Sequence, residues 1–413
     1  MHYNNLKKKI LRKEAKVCIV GLGYVGYPLL QLLKKKNINC IGIDSNKKKI
    51  HRLKKNNYLK TFYTNYELIS ESDIIIYALP TPLKEKNNPD LKILKNSIKK
   101  SIKFYKNGQL IILESTSYPG TTRECLDKII KKFKIGKNLF IGYSPERIDP
   151  GNKQFNVENI TKISSGYSNF CQILTYKFYK TICKKVVKAS TIEVAEFAKI
   201  YENIFRSVNI GLANETKQIS KKLKIDFNEV LNLAETKPFG FMKFTPGPGV
   251  GGHCIPVDPF YLSWLAKKNK IKTKFIELSG KINSNMPVLI CKEIKKYFIK
   301  KIKKKNIKIL ILGLSYKKNI DDIRNSPSLK ILLNLKNFFS KVEFEDKYIR
   351  KYKIKNKLLK SINLKNYDLI ENYDAIILAT DHDYYNYNLI QKKSRLIFDL
   401  KNKFSRSSKV INL

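Results

Sequence analysis

The sequence predicts an α/β protein with two doubly wound parallel sheets, one in each half of the chain, joined by a long helical segment. Three observations predict it. Short apolar runs alternate with lysine-rich helical stretches up to residue 144, helical periodicity continues unbroken through 190–224, and the apolar-run pattern resumes at 307. At 413 residues and 43% hydrophobic, the chain has enough material for a buried core in two or three domains.

The first half opens with a strand at Val17–Val20, a glycine turn, a helix from Pro28 to Lys36 and a strand at 40–44. Further strands follow at 73–79, 110–116 and 138–144. These runs are apolar without alternation, which marks strands covered on both faces. Gly21-Leu22-Gly23-Tyr24-Val25-Gly26 lies between a buried strand and a helix, the context that a G-x-G-x-x-G turn requires. Its glycines let the backbone turn tightly and approach a pyrophosphate at the positive helix N-terminus. Asp44 closes the second strand, where a carboxylate binds an adenosine ribose diol and repels a 2′-phosphate. This half is therefore expected to be a Rossmann domain that binds NAD, with Gly21, Gly23, Tyr24, Val25, Gly26 and Asp44 at the cofactor.

In 190–224, Val194, Phe197, Ala198, Tyr201, Phe205, Val208 and Leu212 recur at helical spacing. Such a helix joins two α/β halves and offers a homodimer surface. The Gly- and Pro-rich segment from Lys237 to Pro259 is too irregular for helix or strand, and loops of that length in compact domains usually carry function. Apolar runs at 307–314, 375–380 and 396–400 predict a second Rossmann-like domain. Its first turn, GLSYKK, lacks the glycine triplet and is not expected to hold a dinucleotide in the same way. The expected domains are 1–189 for NAD, 190–300 for the helical segment with the functional loop, and 301–413 at the C-terminus.

Lys and Arg total 82 against 34 Asp and Glu, a formal net charge of +48. The lysines are spread along the chain among Asn and Ile, whereas a nucleic-acid site concentrates charge with stacking aromatics. A solvated basic surface is expected, with no nucleic-acid partner and some benefit to a small polyanionic substrate. Seven cysteines, odd in number and without a C-x-x-C pair, fit reduced cytoplasmic thiols and argue against a disulfide framework or a metal site. Val17 to Leu33 is uncharged and follows a basic stretch, as in a signal peptide, but its three glycines and Pro28 suit strand, turn and helix better. No export and no membrane span are expected.

Lys199 and Asn203, four apart on the central helix, project from one face. An amine and an amide so placed can position an alcohol and stabilise the oxyanion formed as hydride leaves. Cys254 follows the pair Gly251-Gly252 and precedes Asp258 by four residues. A thiolate there can capture an aldehyde as a thiohemiacetal, and a second oxidation makes a thioester. Asp258 is suited to hold a water or accept a proton. His253 points away on an extended chain and is expected to be structural. Glu146, in Ser144-Pro145-Glu146-Arg147, ends a strand on the ligand side of the sheet and is a candidate for activating the hydrolytic water.

Six segments together carry a resemblance: GLGYVG, ESTSYPGTT (114–122), SPERIDPG (144–151), AEFAKIYEN (195–203), TPGPGVGGHCIPVDPFYLSW (245–264) and GLSYKKNIDDIRNSP (313–327). In this order they resemble the UDP-glucose/UDP-mannuronic-acid dehydrogenase family over nearly the whole chain. The resemblance implies a helical dimerisation segment, a C-terminal UDP-sugar-binding domain and a catalytic Cys254. It also implies oxyanion roles for Lys199 and Asn203, a water or proton role for Asp258, and hydrolytic roles for Glu146 and Thr116. Thr81, Thr116 and Arg324 match cofactor positions. Glu146, Arg147, Lys199, Asn203, Gly251 and Lys317 match substrate positions.

Val257 stands where UDP-glucose enzymes tend to carry lysine, and the loop resembles enzymes acting on UDP-N-acetylhexosamines, UDP-N-acetylglucosamine 6-dehydrogenases above all. UDP-N-acetylmannosamine, UDP-N-acetylgalactosamine and UDP-glucose remain alternatives, since a changed hydroxyl configuration alters only a few contacts. The family generally supplies an arginine from the neighbouring subunit, whereas KPFGFMKF (237–244) offers Lys237 and Lys243, and lysine lacks the bidentate fork. A two-electron β-hydroxyacid dehydrogenase also combines a Rossmann domain with a Lys-x-x-x-Asn pair but has no use for the cysteine. Charge alone suggests a nucleic-acid-binding protein.

Overall fold

The computed structural model describes all residues except 57–60, 150, 153, 302–305 and 355–356. Pro150, within the SPERIDPG segment, lies outside the described residues. The chain divides into two compact units, Met1–Glu202 with Phe260–Lys270, and Asn203–Pro259 with Ile271–Leu413.

The first unit is built on a sheet that holds, among the described residues, β1 (Val17–Val20), β2 (Cys40–Ile43), β3 (Phe62–Tyr63), β4 (Ile74–Tyr77), β5 (Leu110–Leu113), β6 (Phe140–Tyr143), β7 (Lys162–Gly166) and β8 (Val186–Lys188). Their order is β3-β2-β1-β4-β5-β6-β7-β8. Neighbours run parallel except β6 and β7, which are antiparallel. Every residue of β1, β4, β5 and β6 is buried, as unalternated apolar runs require. The strand order reverses between β1 and β4, and at such a switch point ligands bind beyond the C-terminal strand ends.

β2, β4, β5 and β6 stop short of the bounds read from sequence. The residues after β4, β5 and β6 leave the sheet as loops, and these carry Thr81, Thr116 and Glu146. The helix after the glycine turn spans Gly26–Lys35, beginning two residues before Pro28, because proline is tolerated in a first helical turn. A helix at His2–Leu11 was not legible in the lysine-rich N-terminus. It buries Leu6 and Ile10, and Tyr3 packs on Phe170 with ring centroids 4.7 Å apart.

The central helix, Ile192–Lys222, buries a mixed face on which Ile192, Ala195, Ile200, Ile204 and Ala213 lie among polar residues. Val194, Phe197, Tyr201, Phe205 and Leu212 from its apolar stripe are exposed, while Glu196, Lys199, Asn203, Ser207 and Asn214 are buried. A surface helix ordinarily buries its apolar stripe.

The second unit contains β9 (Lys308–Leu312), β10 (Lys341–Glu345), β11 (Lys351–Ile354), β12 (Lys357–Lys360), β13 (Ala375–Leu378), β14 (Ile397–Asp399) and β15 (Val410–Asn412). β10-β9-β13-β14-β15 form a parallel sheet, and β11 and β12 form an antiparallel ladder. The turn after β9 repeats the device of the first unit. Gly21 donates to Ile43 and Leu22 to the Asp44 carboxylate; Gly313 donates to Glu345 and Leu314 to the Asp346 carboxylate. Asp346, however, is wholly buried and also accepts from Ser315, Tyr348 and Ile349, with His382 at 3.2 Å. Burial opposes its ionisation, but these bonds and His382 win and hold its carboxyl down to about 2.

Candidate active site

In the first unit, the glycine turn is shaped by what its neighbours leave free. A Cβ on Gly21, whose φ is +100°, would lie 2.4 Å from the Ala78 carbonyl oxygen, whereas one on Gly23 would meet nothing within 4 Å. The backbone at Gly23 therefore faces open space, the approach a pyrophosphate needs. Tyr24 is exposed beside it. Asp44 accepts from Leu22 N at 3.0 Å, from Asn46 N at 3.0 Å and from Lys49 Nζ at 2.8 Å. Burial would raise its pKa, but Lys49 and the two amides outweigh that and hold the carboxyl below its ordinary value. The turn and the acid fit a dinucleotide with a free ribose diol. Lys49 escaped the sequence reading because lysine is too common in this chain to mark a position.

The loops after β4 and β5 meet: Thr81 Oγ1 donates to the Thr116 carbonyl at 2.6 Å. Residues 120–122 are tied to the central helix by Glu196, which accepts from Gly120 N, Thr122 N and Thr122 Oγ1 at 2.6, 2.9 and 2.6 Å. Lys199, three residues further along that helix, is buried. Glu146 accepts from its own following amides, Arg147 N at 2.7 Å and Ile148 N at 2.8 Å, and pairs with the buried Lys162 at 2.9 Å. The Arg147 guanidinium is directed to Glu202 at 2.7 Å and to the Thr161 carbonyl at 2.7 Å.

The remaining candidates lie in the second unit. Cys254 is half-buried, and the other six cysteines are buried. Burial pushes the Cys18, Cys125 and Cys183 thiols up to about 12, so these stay protonated at neutral pH. The Cys254 carbonyl accepts from Val257 N at 3.0 Å and Asp258 N at 2.8 Å, closing a turn that leads into the helix Asp258–Lys268. Asn203 Nδ2 donates to Asp258 Oδ2 at 2.5 Å.

The cysteine loop is held by the 313–327 segment. Gly252 N donates to the Arg324 carbonyl, Asn325 Nδ2 donates to the Gly252 carbonyl, and a Cβ on Gly251 would strike Tyr316 at 2.4 Å. The Arg324 side chain forks onto Asp322 and lies 3.0 Å from His253 Nδ1, so His253 braces the loop. Lys317 is half-buried on the same turn, its carbonyl accepting from Ser315. Lys243 pairs with Glu235 at 2.6 Å, and Lys237 lies over the Phe239 ring. No helix among the described residues is long and apolar enough to cross a membrane.

Comparison with known proteins covers both units. Models of three domains of the UDP-glucose/GDP-mannose dehydrogenase family match the chain: the NAD binding domain at 15–60 and 56–183, the central domain at 193–285 and the UDP binding domain at 310–406. The chain is 35% identical over 409 residues to protein CapL of Staphylococcus aureus, covering 93% of this chain and 95% of that protein. It is 32% identical over 415 residues to a UDP-N-acetyl-D-glucosamine 6-dehydrogenase of Pseudomonas aeruginosa, covering 94% and 97%. A solved structure of a UDP-D-ManNAc dehydrogenase from Pyrococcus horikoshii superposes with a TM-score of 0.83 at 30% identity, covering 95% and 96%.

Proposed function

The chain belongs to the UDP-glucose/GDP-mannose dehydrogenase family and is an NAD-dependent UDP-sugar dehydrogenase, and we propose that it oxidises the C6 alcohol of UDP-N-acetylglucosamine to the carboxylate through a thioester on Cys254. The observation that carries the covalent reading is the half-exposed Cys254 among six buried cysteines. The similarity to the Pseudomonas enzyme supports the N-acetylglucosamine substrate, and that to the Pyrococcus enzyme keeps UDP-N-acetylmannosamine as the second reading.

NAD, when bound, accepts a hydride in each of two oxidations. Lys199 and Asn203 steady the alkoxide of the first. The Cys254 thiolate then adds to the aldehyde carbon, because an aldehyde must become tetrahedral before it can yield another hydride. The thiohemiacetal so formed is oxidised to the thioester. Glu146, with Thr116, takes a proton from water as its oxygen bonds to the acyl carbon and the C–S bond breaks, which returns the thiolate. Asp258 holds water or accepts a proton beside Asn203.

Three further parts belong to this reading. The domains are 1–189, 190–300 and 301–413, supported by the three matched family domains. A second copy of the chain covers the exposed stripe of the central helix. A sedimentation experiment finding only monomer at micromolar concentration would remove the dimer. The location is cytoplasmic, supported by seven free thiols.

The deciding assay offers UDP-glucose and the three UDP-N-acetylhexosamines with NAD. Two NADH per UDP-N-acetylglucosamine consumed is expected, and one per sugar would favour a two-electron dehydrogenase.

A further inference from the structure

Three ionisable side chains are buried together in the first unit, and the proposed chemistry uses one of them. Lys162 Nζ lies 2.9 Å from Glu146 Oε2 and 3.0 Å from Glu114 Oε1, with the three side chains 1%, 5% and 0% exposed. Glu114 Oε1 also accepts from the Tyr179 hydroxyl. Glu114 Oε2 has no hydrogen-bond partner among the described residues. Topology explains the meeting. β7 runs antiparallel to β6 with Gly142 opposite Gly166 and Tyr143 opposite Ser165, and continuing that register by three residues sets 146 against 162. Glu114 follows β5, the neighbour of β6 on its other side.

A scaffold role does not account for this cluster. Removing an ammonium from water carries a heavy penalty, and packed apolar residues of the same volume usually serve stability as well or better. What apolar residues cannot do is act on the charge and direction of Glu146.

We propose that Lys162 is a positioning residue for thioester hydrolysis: it keeps the Glu146 carboxylate ionised and in one rotamer beyond the end of β6, with Glu114, anchored by Tyr179, behind it. This rests on the reading of Glu146 as the group that takes the proton of the hydrolytic water. Burial works against ionisation of Glu146, but the Lys162 charge and hydrogen bond and the Ile148 and Arg147 amides hold its carboxyl below the usual range. Burial pushes Glu114 up despite the pull of Lys162, and the Glu146 charge adds to the push. The environment thus shifts two neighbouring carboxyls in opposite directions and favours the negative charge on Glu146 over Glu114. The other titratable groups around the cluster do not substitute for the lysine. Burial raises the Tyr179 phenol far above its ordinary value and Cys183 to about 12, and Arg147 is paired with Glu202.

Without Lys162, Glu146 holds its proton at neutral pH and the acyl-enzyme waits for hydrolysis. The test uses the full chain with UDP-N-acetylglucosamine and NAD, reading intact mass for acyl adduct and the pH profile of single-turnover hydrolysis. Two variants remove the charge: Lys162→Met with Glu114→Gln, which leaves no surplus carboxylate, and Lys162→Gln, which keeps a hydrogen-bond donor. Both are expected to accumulate adduct at neutral pH, to move the acid limb up by about one unit or more, and to recover in alkali. A folded variant with an unshifted profile and no adduct overturns the proposal, as does unfolding of both variants, which would assign Lys162 to the scaffold. Glu146→Gln separates the underlying reading. If it hydrolyses at the wild-type rate, Glu146 is not the hydrolytic group; if it stalls while the Lys162 variants keep the wild-type profile, only the role of Lys162 fails.

Discussion

The Asn203 side-chain amide donates to the Asp258 carboxylate at 2.5 Å, and both side chains are buried. The amide proposed to steady an oxyanion is therefore aimed by an acid 55 residues further along the chain. Asp258 in turn donates its backbone N–H to the Cys254 carbonyl at 2.8 Å. Removing either side chain breaks this bond between two buried groups. Asn203→Ala and Asp258→Asn are each expected to lower kcat by on the order of a hundredfold or more. The double variant is expected to lose about as much as the worse single, because the two act as one unit. Steady-state rates of all three check this, and additive losses would make the residues independent.

Cys254→Ala is expected to form no thioester and to stop at or before the aldehyde. Cys254→Ser should lose turnover by several orders of magnitude, since an alkoxide is far harder to generate than a thiolate, and any slow product stays esterified to the protein. Intact-protein mass spectrometry reads both. Carboxylate produced at the wild-type rate by Cys254→Ala would end the covalent mechanism.

Asp44, proposed to bind the ribose diol of NAD, pairs with Lys49 at 2.8 Å. Asp44→Ala removes a negative charge and releases a positive one, and both changes favour a 2′-phosphate. The ratio of kcat/KM with NAD to that with NADP is expected to fall by on the order of tenfold. An unchanged ratio would show that Asp44 does not face the ribose.

Glu196 predicts a pH dependence of stability. Burial raises its pKa to about 7, although its bonds from Thr122 and Gly120 pull the other way. Between the ordinary glutamate value of 4.5 and about 7, the folded chain keeps a proton that the unfolded chain has released. Its contribution is fully present below the ordinary value and is lost as pH rises to about 7. The stability advantage of the wild type over Glu196→Gln should therefore shrink between about pH 5 and pH 8, by roughly 3 kcal/mol at most. Urea unfolding at the two pH values measures it, and an advantage that grew with pH would contradict the assignment.

The strands and the glycine turn were legible because their signals are local. An unalternated apolar run is buried on both faces wherever it lies, and Gly21 and Gly26 follow from backbone crowding within one strand-turn-helix unit. The candidates Cys254, Lys199 and Asn203 were legible for a similar reason, since a Gly-Gly-His-Cys loop and an i, i+4 pair are short-range patterns. Resemblance added Thr81, Thr116, Lys317 and Arg324, which carry no local signal of their own.

What only the tertiary structure decided is which side chains meet and which face is covered. The register of β6 against β7 brings Lys162 to Glu146, and in a chain with 82 basic residues no spacing singles that lysine out. The helix Ile192–Lys222 has a periodicity that sorts its residues into faces, yet periodicity is blind to which face is buried; here the buried one combines Ala195, Ile200 and Ile204 with polar residues held by hydrogen bonds such as Asn214 to Asn283 and Glu196 to Thr122. A sequence records the polarity of each residue, whereas burial of a polar group depends on partners that folding alone supplies.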